Sequence, residues 1–189
     1  MNSTERRARV RSHYRFDRNR PRGFTLVELL TSIAIIAILM AVAAPSFNST
    51  MLNSSIRSAS SAFGSDLAVA RAEAIRTGGR VSICPRQAPD AVTCGSNWGN
   101  GWLVFREDGT TGIGTFGGND RLLREHAAVG AGLTLTRTVG SGALTFLASG
   151  ALQPNGGAST AMFELRSSGA KGRNIEVSVI GRLNTVVEP

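Results

Sequence analysis

The N-terminal part of the chain contains a long apolar run. From Leu29 to Ala44 no residue is charged, and the only polar side chains are those of Thr31 and Ser32. A run that is apolar on every side is typical of a helix surrounded by lipid or by other helices. Glu28 stands at its N-terminal end, where an unpaired carboxylate costs somewhat less than the roughly 2.5 to 3.5 kcal/mol expected at mid-membrane. The pattern therefore predicts a membrane helix whose carboxylate needs a partner.

A different pattern follows Pro45. Apolar residues recur at every third or fourth position, with serines and arginines between them, as on one face of a helix. Joined to the apolar run, this stripe predicts one helix from about Phe24 to Arg76, bent near Pro45 and ended by Gly78 and Gly79. The stripe consists of Leu52, Ile56, Ala59, Phe63, Leu67, Ala70 and Ala74.

From Arg80 onward the helical period is lost, and short apolar or alternating runs are separated by glycine and polar turns. Such runs favour an antiparallel sheet, which would also cover the apolar stripe of the helix. The predicted fold class is therefore α+β. Candidate strands are Val81 to Cys84, Gly101 to Arg106, Arg121 to Arg124, Leu133 to Thr138, Leu144 to Leu147, Ala161 to Arg166, Ile175 to Ile180 and Leu183 to Val187.

The segments between these runs predict turns and loops. Gly181-Arg182 separates the last two runs and favours a tight hairpin. Gly109 to Asn119 and Ser149 to Ser159 are rich in Gly, Asn, Thr and Ser, which predicts exposed, mobile loops.

The formal charge of +8 is concentrated at the N-terminus. Residues 1–23 hold eight arginines against Glu5 and Asp17, a net of +6, which leaves +2 for residues 24–189. Arginines before an apolar segment stay cytoplasmic and direct the C-terminal side across the membrane. Most of the basicity is thus an orientation signal.

The stretch Gly23-Phe24-Thr25-Leu26-Val27-Glu28-Leu29-Leu30 resembles the type III signal of prepilins. The resemblance implies that a prepilin peptidase cuts between Gly23 and Phe24 and that Phe24 is then N-methylated. It also implies that Glu28 pairs with the amino group of Phe24, its own or a neighbour's, when subunits assemble. The expected domains are a leader (1–23), a transmembrane and filament-core helix (24–45), an amphipathic periplasmic helix (46–78) and a β-rich head (79–189).

Two other interpretations of the N-terminus stay open at this point. An ordinary secretory signal also has a basic start and an apolar core, and Ala41-Val42-Ala43 before Ala44 would serve as its cleavage site. The segment would also serve as a plain uncleaved anchor. Neither interpretation explains Glu28.

Cys84 and Cys94 are the only cysteines, and this topology places them in the periplasm, where an oxidising environment favours a disulfide. The block Ile83-Cys84-Pro85, Cys94, Trp98 and Gly101-Trp102-Leu103-Val104-Phe105 resembles the GspH/FimT family of minor pseudopilins, especially its FimT/FimU-like members. One tryptophan is expected on the disulfide loop and the other in the sheet core, both in structural roles.

The predicted function is assembly rather than catalysis: a minor pilin that helps to prime or cap a type IV pilus. Its partners would be the prepilin peptidase, the inner membrane and other pilins or pseudopilins. A GspH-like minor pseudopilin of a type II secretion system is one alternative. The other is a DNA-binding minor pilin, with Lys171, Arg173 and Arg182 as contacts, although Gly181-Arg182-Leu183-Asn184 lacks the second arginine of the Gly-Arg-x-Arg turn in DNA-binding relatives.

Signals for other chemistry are weak. Gly112 to Gly117 has the dinucleotide-binding spacing, but no strand–helix context surrounds it. Glu107 and Asp108 are expected to be solvated in a turn rather than catalytic. His126 is the only histidine after the leader, so no metal site is expected, and no enzymatic activity or cofactor is predicted.

Overall fold

The computed structural model describes residues 23–154 and 160–188, and within the helix the side chains of residues 42–46 lie outside the description. Helix α1 extends over Leu26–Thr77, within two residues of its predicted bounds. It ends where Gly78 adopts a φ of +66°, a left-handed conformation that favours glycine after a helix. The predicted leader falls almost wholly on residues 1–22, outside the described part.

The chain divides into two compact units, Met1–Val42 and Ala43–Pro189. The predicted membrane segment, 24–45, runs across this division and includes side chains outside the description. In the described residues, no helical stretch is both long and apolar enough to cross a membrane.

The predicted antiparallel strands are present and form two four-stranded sheets in the described part of the chain. The first sheet has the order β3-β2-β1-β5, and the second has the order β4-β6-β7-β8. All pairings are antiparallel. The strands are β1 Val81–Pro85, β2 Trp102–Arg106, β3 Arg121–His126, β4 Leu133–Val139, β5 Leu144–Phe146, β6 Ala161–Ser167, β7 Arg173–Val177 and β8 Leu183–Val187.

The main core lies where the C-terminal part of α1 covers both sheets. Phe63 is 1% exposed and makes edge-to-face ring contacts with Trp102 of β2 and Phe163 of β6, at centroid distances of 4.9 and 4.8 Å. The predicted stripe residues Ile56, Phe63, Leu67, Ala70 and Ala74 are all buried in this core. The amphipathic pattern therefore faces the sheets, as its period indicated.

Strand β2 is buried on both faces, which the sequence pattern did not predict. Trp102 and Val104 belong to the main core, whereas Leu103 and Phe105 form a second small core with Cys84 and Ala143. Phe116 closes this second core, with its ring centroid 5.2 Å from that of Phe105. The prediction that 109–119 is an exposed loop was therefore wrong in part, because the loop covers the outer face of the first sheet.

The last hairpin is present, but its turn is longer than predicted. The ladder closes at Val177 opposite Leu183, so five residues, 178–182, form the turn. Val179 and Ile180 belong to an apolar run, yet they are 43% and 61% exposed. Their carbonyls accept hydrogen bonds from outside the ladder, from the Leu152 amide and the Arg71 guanidinium. Those contacts hold the turn and end β7 earlier than its apolar pattern suggests.

The other predicted loop, 149–159, falls partly on residues 155–159, outside the described residues. Its beginning is packed rather than exposed. Leu152 is 3% exposed and bridges to Phe146, and the Gly150 carbonyl accepts a hydrogen bond from Arg71.

Candidate assembly site

The surface of α1 before residue 42 is apolar all round. Its large apolar side chains are between 51% and 80% exposed in the subunit. Because successive residues are about 100° apart around a helix, these positions cover its whole circumference. A helix of this kind is stable when it packs against other apolar helices or lies in lipid. The residues are Phe24, which lies just before the helix, and Leu26, Val27, Leu29, Leu30, Ile33, Ile35, Ile36, Ile38, Leu39 and Met40 within it.

Thr25 and Glu28 occupy the positions of a capping box, in which each side chain normally bonds the other's backbone N–H. The Thr25 hydroxyl accepts the Glu28 N–H at 3.2 Å. The reciprocal bond, from the Thr25 N–H to the Glu28 carboxylate, is not formed. Helix capping therefore accounts for Thr25 but gives the Glu28 carboxylate no role among the described residues.

The Glu28 carboxylate has no ion-pair or hydrogen-bond partner among residues 23–154 and 160–188. The two hydroxyls nearby, of Thr31 and Ser32, donate instead to the Glu28 backbone carbonyl, at 3.1 and 2.7 Å. The Phe24 nitrogen is an amide while Gly23 is attached, so it is neutral. Cleavage between these residues would turn it into an ammonium group four residues before Glu28, which is the complementary charge that the carboxylate lacks.

The predicted disulfide is present in the head. Cys84 and Cys94 are joined with an S–S distance of 2.07 Å and a Cα–Cα distance of 5.6 Å. Backbone bonds close the intervening loop, from the Gly95 amide to the Pro85 carbonyl and from the Gln87 amide to the Thr93 carbonyl. The Phe116 amide donates to the Cys94 sulfur at 3.3 Å, which links the disulfide to the loop that covers β2.

Both tryptophans are structural, but the expectation that one packs on the disulfide loop was wrong. Trp98 and Trp102 lie in the main core, and neither belongs to the cluster around Cys84. Trp98 makes edge-to-face contacts with Phe63 and Phe163 at centroid distances of 5.6 and 4.9 Å. Trp98 is buried because Phe63 of α1 and Phe163 of the second sheet both pack against its ring.

Asp66 is a buried carboxylate that sequence reasoning missed. Its side chain is 8% exposed, and it accepts the Trp102 indole N–H at 2.9 Å and an Arg124 guanidinium N–H at 2.9 Å. Trp102 also stacks on His126, with centroids 4.1 Å apart. The signal in the sequence was an acid three residues after Phe63, beside the apolar stripe. This carboxylate ties α1 to β2 and β3.

The expectation that Glu107 is solvated was also wrong. Its side chain is 3% exposed and accepts bonds from the Arg80 guanidinium at 2.7 Å, the Ser82 hydroxyl at 2.6 Å and the Gly114 amide at 2.7 Å. Asp108 lies in the turn, where hydrogen bonds from the backbone amide and then the hydroxyl of Thr110 lower the pKa of its carboxyl below the ordinary value. Both acids therefore hold the loop over β2.

The three residues proposed for DNA are not brought together. Lys171 precedes β7 and Arg173 begins it, opposite Val187, whereas Arg182 lies in the turn at the other end of the hairpin. At about 3.3 Å per residue, the strand between them separates the two ends by roughly 15 Å. In the part of the chain that the structure describes, no three His, Cys, Asp or Glu side chains are grouped to hold a metal ion.

The long helix packed on antiparallel sheets, with an apolar N-terminal surface, defines a pilin-like protein, and comparison with known proteins supports this class. Residues 18–44 match the prokaryotic N-terminal methylation motif, and residues 59–181 match the family described as type II transport protein GspH. The chain belongs to this GspH family, which confirms the resemblance seen in its cysteine and tryptophan block. A search of the curated proteins finds no significant match.

Solved structures agree with this assignment. Two crystal forms of the type IV minor pilin FimU of Pseudomonas aeruginosa are 25% and 26% identical, with TM-scores of 0.52 and 0.51. The alignments cover 71% and 70% of this chain and 88% and 92% of FimU. The minor pseudopilin EpsH of the Vibrio cholerae type II secretion system is 13% identical with a TM-score of 0.52, covering 73% of this chain and 99% of EpsH, and it shows the fold alone.

Proposed function

We propose that this chain is a minor pilin that helps to prime or cap a type IV pilus, after a prepilin peptidase cuts between Gly23 and Phe24 and methylates Phe24. The observation that carries the proposal is the Glu28 carboxylate, which has no partner in the described subunit and stands at the start of an exposed, uncharged helix surface. The methylation motif at residues 18–44 supports the processing step. The work of the protein is assembly rather than catalysis.

In this mechanism Glu28 sets the axial register of the subunit. The apolar residues after it pack against the helices of neighbouring subunits, where a carboxylate without a partner is strongly disfavoured. Only an offset that brings the amino group of Phe24 to Glu28, in the same or a neighbouring subunit, satisfies both charges. Any other axial offset leaves both charges desolvated and without a partner. The pair therefore disfavours wrong offsets as well as stabilising the correct one.

Before assembly the precursor would be held in the inner membrane by residues 24–45, with its head in the periplasm. The eight arginines of the leader keep the N-terminus cytoplasmic. The Cys84–Cys94 disulfide supports this placement, because such bonds persist in oxidising compartments.

The processing step is tested by intact mass and N-terminal sequencing of the protein purified from cells. The expected N-terminus is N-methylated Phe24, and Gly23→Val should leave the leader attached, because the signal that the sequence resembles has glycine before the cut. An N-terminus at Ala44 would instead identify a secreted head and refute the proposal.

The register role is tested with Glu28→Gln, which keeps the size of the side chain and removes its charge. Insertion and processing should persist while piliation is lost, because the amino group of Phe24 no longer has a counter-charge. Thr31→Ala is the matched control, since it alters a neighbouring helix position without changing charge. Normal piliation in Glu28→Gln cells would refute the register role.

The pilus is favoured over the secretion system because the FimU structures are 25% and 26% identical, against 13% for EpsH. Deletion of the gene should therefore reduce surface pili and leave type II secretion intact. Loss of secretion with normal pili would assign the protein to the secretion system instead.

A further inference from the structure

The first sheet carries several arginines on the face that lies under α1. Arg106 and Arg121 are directly opposite each other in the β2–β3 ladder. Arg124 lies opposite Val104, a core residue beneath the helix, and Arg106 follows Val104 by two positions, so all three arginines share this face. Arg76, in the last turn of α1, borders the same surface. We refer to Arg76, Arg106, Arg121 and Arg124 as the arginine face.

The acidic groups within this surface already have hydrogen-bond or ion-pair partners. Both Asp66 oxygens are taken by Trp102 and Arg124, and Glu73 accepts two bonds from Arg76, at 2.8 and 2.6 Å. In residues 23–154 and 160–188, the guanidiniums of Arg106 and Arg121 have no hydrogen-bond or ion-pair partner. The surface thus has four cations against two carboxylates, and its two central cations are unpaired.

Three of these guanidiniums lie near enough to Glu73 for their charges to act on it. The hydrogen bond from Arg76 lowers the pKa of Glu73, and the charges of Arg76, Arg106 and Arg121 lower it further. Like charges directly opposite in an antiparallel pair destabilise the sheet. An anion placed between Arg106 and Arg121 would remove this repulsion and would receive N–H donors from two planar, always-charged groups.

The chemistry of the surface favours a protein carboxylate over a nucleic acid. A polyanionic backbone is bound by several neighbouring cations, and here Glu73 lies among the arginines and lowers the net positive charge of the surface. The surface is also at a sheet edge, since β3 is the outer strand. Paired arginines at an open sheet edge fit a small protein contact, since arginine is enriched in such interfaces.

We propose that the arginine face docks acidic side chains of a neighbouring filament subunit, whose carboxylates bridge Arg106 and Arg121. This docking rests on the proposed function, because that function supplies the neighbouring subunit. It gives the head a specific lateral contact in addition to the apolar packing of the N-terminal helix.

The charge chemistry is tested with the full-length protein in neutral detergent and a short fluorescent polyglutamate peptide. Replacing both arginines, Arg106→Gln with Arg121→Gln, should weaken peptide binding about tenfold or more, because two charge-assisted contacts are lost. The matched control, Lys171→Gln with Arg182→Gln, removes the same charge from the other sheet and should bind as the wild type does. Equal loss in both variants, or no binding by the wild type, overturns the proposal.

Two further measurements separate a specific site from a folding defect and from nucleic-acid binding. The glutamine pair should unfold at the wild-type temperature or above it, because cross-strand repulsion is removed, and the reversed pair Arg106→Glu with Arg121→Glu should bind a polylysine peptide instead. A short DNA duplex should not displace the polyglutamate peptide. Displacement that depends on Arg106 and Arg121 would overturn the proposal in favour of a nucleic acid.

The partner is tested in cells with a photo-cross-linking residue at Arg76, which lies at the border of the arginine face, and at Val186 on the other sheet as the control position. The expected product is an adduct with another pilin subunit that forms from position 76 and disappears in the glutamine pair. If Phe24 is processed and piliation depends on Glu28 but this adduct is absent, only the docking proposal fails. If Phe24 is not processed, the proposed function itself fails.

Discussion

Asp66 offers the sharpest test of how the helix is fixed to the head. We expect Asp66→Ala to lower the free energy of unfolding by about 2 to 4 kcal/mol. Most of this comes from the Trp102 indole N–H, which is fully buried and would lose its acceptor at a cost of about 1 to 3 kcal/mol. The Arg124 ion pair adds only about 0.5 to 1 kcal/mol, because that guanidinium is 48% exposed and regains water.

Companion variants divide this loss between the two contacts. Asp66→Asn keeps an oxygen that can accept the Trp102 N–H, so it should lose about 1 kcal/mol, from the ion pair alone. Arg124→Gln should lose a similar amount. The double variant should show coupling between the Asp66 and Arg124 substitutions. Ser61→Ala, at an exposed position of the same helix, is the control and should leave the urea midpoint close to that of the wild type.

The assay is urea unfolding of the full-length protein in detergent, followed by tryptophan fluorescence. Trp98 and Trp102 are the only tryptophans, and both lie in the core of the head, so the signal reports the head. At about 3 °C per kcal/mol for a domain of this size, Asp66→Ala should also lower the melting temperature by roughly 6 to 12 °C. Equal stabilities for Asp66→Ala and Asp66→Asn would refute the dominant role assigned to the indole hydrogen bond.

Three further predictions concern the head. Replacing Cys84 and Cys94 by serine should cost about 2 to 3 kcal/mol in urea unfolding, since a short covalent loop is opened, and dithiothreitol should then have no further effect. Arg137→Lys should destabilise the β4–β5 connection, because one nitrogen cannot reproduce the bonds of this guanidinium to the carbonyls of residues 139 and 141–143, and amide exchange there should accelerate. Hydrogen bonds from Thr110 hold the folded pKa of the Asp108 carboxyl below its ordinary value of 3.8, so its stabilising effect is present above that pH and is lost as pH falls through the lower, folded pKa. The shift of the Thr110 amide resonance that follows this titration should be absent in Asp108→Asn.

Features with a local cause were predictable from the sequence. The helix could be placed to within two residues because its apolar stripe has a regular period and Gly78 and Gly79 follow it. Most strands were found because their alternation is also local. The ends of β7 were not, because Val179 and Ile180 continue an apolar run and only contacts with Leu152 and Arg71 hold them in a turn.

Features that depend on pairing across the fold were missed. In the sequence, Glu107 is one of two adjacent acids in a polar turn. In the fold it is buried because Arg80, Ser82 and Gly114 donate hydrogen bonds to its carboxylate. Arg106 and Arg121 are fifteen positions apart in the sequence, and only the β2–β3 register places them face to face. Their proposed role in docking could not have been inferred from composition, because residues 24–189 are nearly neutral overall.

The sequence by itself determined that this is a pilin-like chain: the Gly23-Phe24 junction, Glu28, the apolar run and the amphipathic stripe are contiguous and follow directly from residue order. Tertiary structure alone decided which charges are used within the subunit and which are left over. The Asp66 carboxylate accepts hydrogen bonds from Trp102 and Arg124. The side chains of Glu28, Arg106 and Arg121, by contrast, have no hydrogen-bond or ion-pair partner within the described residues. Charge pairing depends on distance in space rather than in sequence, and for this reason the unpaired groups, the ones available to a neighbouring subunit, emerge only from the fold.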